Sequence, residues 1–207
     1  MKHSQVMKAT LGRLPTYLQY LKNLDPKEFP KISATIIAKA LGLGEVQVRK
    51  DLSAVSGAGR PKLGYKTSAL IKQLEEVLGQ NSVCKAVIVG AGKLGNALLD
   101  YNGFSNYGLE VAAAFDIDES RCGETASGKN ILPLSSLSEY CESEGIKIGV
   151  ITVPSSVAQS ICDILTSAGV IAIWNFAPCQ LSVPEGITLQ QENLALSLAH
   201  LKLQIDR

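Results

Sequence analysis

Long apolar runs are missing from this chain. None approaches the ~20 residues that a membrane-spanning helix needs. Polar and charged groups interrupt the first twenty residues throughout, so no secretory leader is expected and the cytosol is the expected compartment. Histidine is scarce: only His3 and His200 occur, which leaves little for a histidine triad or histidine acid–base catalysis. The five cysteines (Cys84, Cys122, Cys141, Cys162 and Cys179) contain no Cys-x-x-Cys pair and make an odd total. That argues against a disulfide framework and against a zinc or iron–sulfur centre, so no metal site is expected. Cys84 and Cys162 sit in apolar stretches and read as small core residues. Charge is modest at 19% against 46% hydrophobic residues, a balance that excludes a disordered chain.

What is present is an uneven distribution of charge. The net value of +1 hides a first segment, residues 1–80, with 13 Lys/Arg against 6 Asp/Glu, and a second, residues 81–207, with 7 against 13. A +7 segment followed by a −6 segment reads as two domains with different partners. A small basic domain is the electrostatic footprint of a polyanion binder.

The basic segment has helical spacing from Leu14 to Leu24, with Pro15 in the first turn and Asp25-Pro26 as the stop. Ser33 is placed as the N-cap of a second helix, Ala34 to Ala40. Leu41-Gly42-Leu43-Gly44 connects it tightly to a third, Glu45 to Leu52, with Val46, Val48 and Leu52 as candidate inward positions. This is a helix-turn-helix pattern. Its third helix carries Gln47, Arg49 and Lys50: arginine and lysine suit guanine edges or phosphates, and glutamine can read adenine. The alternative is an ordinary solvated helix face. A glycine-rich basic stretch, Gly57 to Lys66, reads as a wing in which Arg60 and Lys62 suit phosphates or a minor groove. Thr67 to Leu78 is again helical, and Gly79-Gln80-Asn81-Ser82 marks the domain boundary.

The acidic segment opens with an apolar strand, Lys85 to Val89, then Gly90-Ala91-Gly92-Lys93-Leu94-Gly95 and a helix from Asn96 to Tyr101. Gly-x-Gly-x-x-Gly between a strand and a helix is the dinucleotide-binding pattern: a tight turn, a backbone approach for pyrophosphate, and close helix–sheet packing. A strand from Leu109 to Phe115 ends at Asp116, 21 residues after Gly95, where a carboxylate accepts from a ribose 2′-OH and repels a 2′-phosphate. NAD(H) is therefore expected over NADP(H), with Arg121 nearby as the one counter-indication. Further strands (Ile146–Val153, Val170–Phe176) alternate with a helix (Ser155–Ala168), implying a parallel sheet. The loops Thr152–Ser155 and Asn175–Pro178 then fall at the ligand edge. Asn175 suits a ribose or an amide there, or is a turn residue. The last stretch, Glu192 to Ile205, places Leu194, Leu198, Leu201 and Ile205 on one helical face, to pack on its own domain or on a partner. The expected fold is α/β: an N-terminal winged helix-turn-helix domain and a C-terminal NAD-binding Rossmann domain with a parallel sheet.

Several strings together resemble the Rex family of redox-sensing transcriptional repressors. They are Arg13-Leu14-Pro15, Val46 to Leu52, the Gly90–Gly95 loop, Phe115-Asp116-Ile117-Asp118, Thr152-Val153-Pro154, Asn175-Phe176-Ala177-Pro178 and Val183-Pro184-Glu185, spread in order over nearly the whole chain. The resemblance implies a homodimer whose C-terminal helix, about residues 191–205, is exchanged with the partner. It also implies palindromic operator DNA bound when NADH is low and released by NADH. By position it implies cofactor contacts at Gly90, Ala91, Gly92, Lys93, Leu94, Gly95, Asp116, Ile117, Thr152, Val153, Pro154, Asn175, Phe176 and Pro178, with Tyr101 in the conformational switch. The DNA contacts would be Arg13, Ser33, Gln47, Arg49, Lys50, Arg60, Lys62, Gly64 and Tyr65. No catalytic residue is implied.

The chain departs from the family pattern where Gln19 replaces a common arginine and where Ala195-Leu196 replaces an Asp-Phe pair. The wing departs too, with a proline and an extra lysine in Gly59 to Tyr65. These departures leave open a regulator in which NAD(H) is structural or only weakly modulating. An NAD-dependent oxidoreductase is the remoter alternative, since residues 81–207 leave no room for a substrate domain.

Overall fold

The structure, a computed structural model, describes residues 8–57 and 64–205. They form two compact units: one comprises the chain up to Val83 together with Ser105–Gly108, the other Cys84–Phe104 and the chain from Leu109.

In the first unit the helices are α1 (Lys8–Leu11), α2 (Leu14–Lys22), α3 (Ala34–Leu41), α4 (Glu45–Ser56) and α5 (Thr67–Val77). Two short strands, β1 (Lys31–Ile32) and β2 (Tyr65–Lys66), pair antiparallel with Ile32 opposite Tyr65. The apolar stripes of four helices close one core: Leu14, Tyr17, Leu18 and Leu21 from α2, Ile37 and Ala38 from α3, Val48 and Leu52 from α4, Leu70 and Leu74 from α5. Ser33 caps α3 by accepting from the Ile36 N–H at 3.2 Å. Gly42, at φ 65°, ends α3 in the left-handed region that a side chain resists, which turns the chain into α4. This is the expected helix-turn-helix, with α4 one turn longer than its pattern implied. Val46 is a correction. It is 65% exposed while Val48 is fully buried, because residues two apart project to nearly opposite sides of a helix. Most of the expected wing, residues 58–63 with Arg60 and Lys62, lies outside the described residues.

The second unit is built on β3 (Cys84–Val89), α6 (Lys93–Leu99), β4 (Leu109–Asp116), β5 (Gly123–Glu124), β6 (Asn130–Pro133) and α7 (Leu137–Glu144). It continues through β7 (Ile148–Ile151), α8 (Ser155–Ser167), β8 (Ala172–Asn175), β9 (Thr188–Gln191) and α9 (Leu194–Ile205). The seven strands run β5-β6-β4-β3-β7-β8-β9, and every neighbouring pair is parallel except β5–β6. Chain order therefore reverses beside β3, which creates a switch point between β3 and β7. Alternation along β3 sends Val87 and Val89 into a core with α7 and α8, and Ile88 into a second core with Leu99 of α6. Cys162 is buried as expected, whereas Cys84, at the start of β3, is only half-buried. No helix among the described residues is long and apolar enough to cross a membrane.

The α6–sheet approach is the tightest in this unit. A Cβ on Gly95 would stand 1.9 Å from the Gly90 carbonyl oxygen, and Gly90 itself has φ 102°. Backbone meets backbone there, so neither side can yield by a rotamer change. Gly95→Ala should therefore destabilise the second unit by about 2 kcal/mol or more and sharply weaken nucleotide binding. Thermal melts and calorimetric titration check both.

Candidate nucleotide pocket and nucleic-acid interface

The carboxyl ends of four adjacent strands carry the predicted nucleotide residues. Gly90–Gly95 follows β3, Asp116-Ile117 closes β4, Thr152-Val153-Pro154 follows β7 and Asn175–Pro178 closes β8. The Gly-rich loop is held from two sides. On one, the Ala91 N–H donates to Asp116 Oδ2 at 2.7 Å, and the Asp118 N–H donates to Oδ1 at 2.9 Å. On the other, the Thr152 hydroxyl lies 2.8 Å from the Gly90 carbonyl and 3.1 Å from that of Val89. The Ala91 N–H, expected among the ligand contacts, is thus already engaged. The donors that remain at this edge are the first-turn N–H groups of α6, which have no intrahelical carbonyl to meet.

Asp116 is only 8% exposed, yet each of its oxygens accepts a backbone N–H, so the carboxylate keeps capacity for a ligand hydroxyl. Arg121 lies 3.7 Å from Asp116 and donates to Asp118 at 3.1 Å. Its cation is turned toward these acids rather than standing alone for a 2′-phosphate. Ile117 beside them is exposed, as are Lys93, Leu94, Pro154 and Pro178, while Val153 and Phe176 are half-buried.

Asn175 does the work of the turn residue that its sequence position also allowed. It is wholly buried; its Nδ2 donates toward the carbonyls of Ala177 and Cys179 and toward Gln191 Oε1, and its Oδ1 accepts from the Ala177 N–H. With both N–H donors and one lone pair of its oxygen engaged inside the protein, it shapes the β8 loop. Gln191, which the sequence did not single out, braces the same loop by donating to the Ala177 carbonyl. Tyr101 is exposed and stacks edge-on against Phe104; Phe104 meets Trp174, and Trp174 meets Phe176 with ring centroids 4.5 Å apart. The Trp174 indole N–H donates to Glu192 at 3.1 Å. This aromatic row joins residues scattered over 75 positions; the sequence had singled out Tyr101 and Phe176 separately, for a switch and a cofactor contact, and not the row.

In the first unit, Gln47, Arg49 and Lys50 are exposed on α4, and Arg49 is paired with Glu45 one turn earlier. Gly64 is needed for the β1–β2 pairing: its φ is 67°, and a Cβ would stand 2.3 Å from the Ile32 carbonyl oxygen. Tyr65 packs half-buried against the helical core. Arg13 is not a free cation. Its guanidinium holds Asp51 of α4 with two hydrogen bonds of 2.8 Å, and the same carboxylate accepts from the Thr10 hydroxyl at 2.9 Å and the Tyr17 hydroxyl at 2.8 Å.

Burial alone would raise the Asp51 pKa, but the hydrogen bonds from Arg13, Tyr17 and Thr10 outweigh it and hold the carboxyl below its ordinary value. The bond to Asp51 keeps Arg13 more firmly protonated than usual, and burial followed by the Asp51 carboxylate pushes Tyr17 up to about 12. Asp51→Ala should cost about 3 kcal/mol, since it leaves the buried hydroxyls of Thr10 and Tyr17 without an acceptor. Because the folded carboxyl titrates below the unfolded one, its contribution is complete above about pH 4 and falls away as acid approaches the folded value. Denaturant titrations between pH 2 and 6 should show that slope in the native protein and a shallower one in Asp51→Asn.

The comparisons with known proteins agree with this architecture. Residues 5–53 match the family model described as "Putative DNA-binding protein N-terminus", and residues 81–179 match the CoA binding domain. The redox-sensing transcriptional repressor Rex of Bacteroides fragilis is 40% identical over 99% of this chain and 91% of its own length. That of Streptomyces coelicolor is 37% identical over 93% of this chain and 75% of its own. Among solved structures, the repressor RSP in complex with β-NAD+ and operator DNA superposes with a TM-score of 0.79 at 30% identity, covering 98% of this chain and 94% of that one. RSP in complex with β-NADH gives 0.71 at 30% identity, over 98% and 95%. With a helix-turn-helix unit, a switch-point nucleotide pocket and identity sustained over almost the whole length, the chain belongs to the Rex family of redox-sensing transcriptional repressors.

Proposed function

We propose that this protein is a dimeric, cytoplasmic repressor that occupies palindromic operator DNA when NADH is scarce and leaves it when NADH binds. The observation that carries this reading is Asp116. A buried carboxylate at the end of β4 ties the Gly-rich loop that follows β3, in a chain whose other unit presents an exposed recognition helix. The N–H groups of Gly92, just before α6, and of Lys93 and Leu94 in its first turn would take the pyrophosphate, and Asp116 the ribose hydroxyls. Bound nicotinamide supplies the redox identity that is sensed; this chain supplies the binding and the change of shape. No hydride acceptor or acid–base pair is required, so the protein is a regulator rather than an oxidoreductase. In the first unit Arg49 and Lys50 would meet phosphates or base edges, with Ser33, Gly64 and Tyr65 beside them. Release follows from population shift: NADH favours an arrangement whose two recognition helices no longer match half-sites about 34–36 Å apart.

The dimer rests on α9. Every side chain described in it is exposed, including Leu194, Leu196, Leu198, Leu201, Leu203 and Ile205, each at least 55%. Six exposed leucine and isoleucine side chains on one helix need cover that its own unit does not supply, and a second copy would supply it. Ending the chain at Glu192 should halve the mass seen by light scattering and weaken binding to a palindrome about a hundredfold.

Nucleotide titration against a labelled palindromic duplex, at fixed salt, tests the sensing. NADH should release the DNA, NAD+ should not, and NADPH should be ineffective because Asp116 repels a 2′-phosphate. Indifference to every nucleotide would favour the second reading, a DNA-binding regulator with a structural nucleotide. Gln19 and Ala195 motivate that reading, since neither can carry a charge in a cofactor-responsive contact.

A further inference from the structure

Gln47 and Asp51 lie one turn apart on α4, so a group laid across that turn meets both. Arg13 does so. In its own plane the guanidinium grips Asp51 through Nε and Nη2, each bond 2.8 Å. Over it lies the Gln47 carboxamide: turned with Oε1 toward the cation, that oxygen stands 3.0 Å from Nε, 3.1 Å from Nη1 and 3.3 Å from Nη2. Three nearly equal distances place that oxygen above the face of the cation. An amide NH2 in the same place would bring its positive hydrogens against a positive charge, so the neighbours decide which end of the amide turns inward. The outward end is then Nε2, on a side chain exposed at the front of the recognition helix.

We propose that Arg13 is a positioning residue that sets the polarity of Gln47, so that Gln47 reads the acceptor edge of guanine instead of adenine. A glutamine that reads adenine must offer one donor to N7 and one acceptor to the N6 amino group. With Oε1 held over Arg13, Gln47 offers donors alone, and two N–H groups match the side-by-side O6 and N7 of guanine. Asp51 fixes Arg13 and thereby the amide. The inference deepens the proposed operator binding and depends on it.

The experiment uses the full-length protein and a duplex that the protein itself selects from a random pool. Each guanine of that duplex is replaced in turn by 7-deazaguanine, which lacks the N7 acceptor, and each adenine by purine, which lacks the N6 amino group. One guanine replacement should weaken native binding about five- to tenfold, and that loss should vanish in Gln47→Met. No adenine replacement should show such coupling to position 47. Arg13→Met should free the amide, lowering the guanine sensitivity and creating adenine coupling, a change of base preference that loss of stability alone does not produce. Coupling of an adenine N6 group to Gln47 in the native protein, or no coupling at any base, would overturn the assignment. Gln47 is exposed, so the Met variant keeps the fold even where Arg13→Met does not. Failure to select any duplex would instead remove the operator binding on which the assignment stands.

Discussion

The carboxylate of Asp116 organises the nucleotide-binding unit. It receives the Ala91 N–H from the Gly-rich loop and the Asp118 N–H from its own turn, and so couples the ends of β3 and β4. Without it the loop would keep Thr152, the Gly90 N–H bond to the Phe115 carbonyl and the Asn96 side-chain bond to the Ala91 carbonyl, but lose the tie at the Ala91 N–H. With it, the loop is tied to β4 as well as to the Thr152 loop after β7. The charge proposed to meet a ribose is thus also a charge that builds the site. Its desolvation is offset by backbone amides that water would otherwise have to serve.

The first unit repeats this logic with Asp51. A carboxylate on the inner side of α4 accepts from Thr10, Arg13 and Tyr17, all from the segment around the start of α2. Apolar packing holds α4 against α2, α3 and α5, but packing is tolerant of small rotations. Four directional bonds to one carboxylate are less tolerant, and they set which side chains of α4 look outward. A recognition helix needs that definition, because base edges are read by donors and acceptors at fixed places.

Much of this was legible locally. Helical spacing marked α2 to α5, the strand–Gly-x-Gly-x-x-Gly–helix order marked the pocket, and Ser33 and Gly42 marked their helix ends, since each signal lies within a few residues of its effect. Other elements carried weak local signals. The helix α7 buries only Leu137 and Cys141 in an otherwise polar run, and β6 and β9 are four residues long. Val46 misled because apolar character alone does not say on which side of a helix a residue falls; the phase set by Val48 and Leu52 does.

The sequence by itself determined the two-unit plan, the helix-turn-helix, the alternation of strands and helices in a parallel sheet and the acid at position 116, because periodicity, turn chemistry and motif spacing act over short stretches of chain. Only the tertiary structure decided what each polar side chain does. Arg13 is engaged by Asp51, 38 positions away; Ala91 by Asp116, 25 away; Asn175 by Gln191, 16 away. A hydrogen-bonding group has few partners to give, and whether a distant residue takes them is a matter of three-dimensional neighbourhood that no local pattern records.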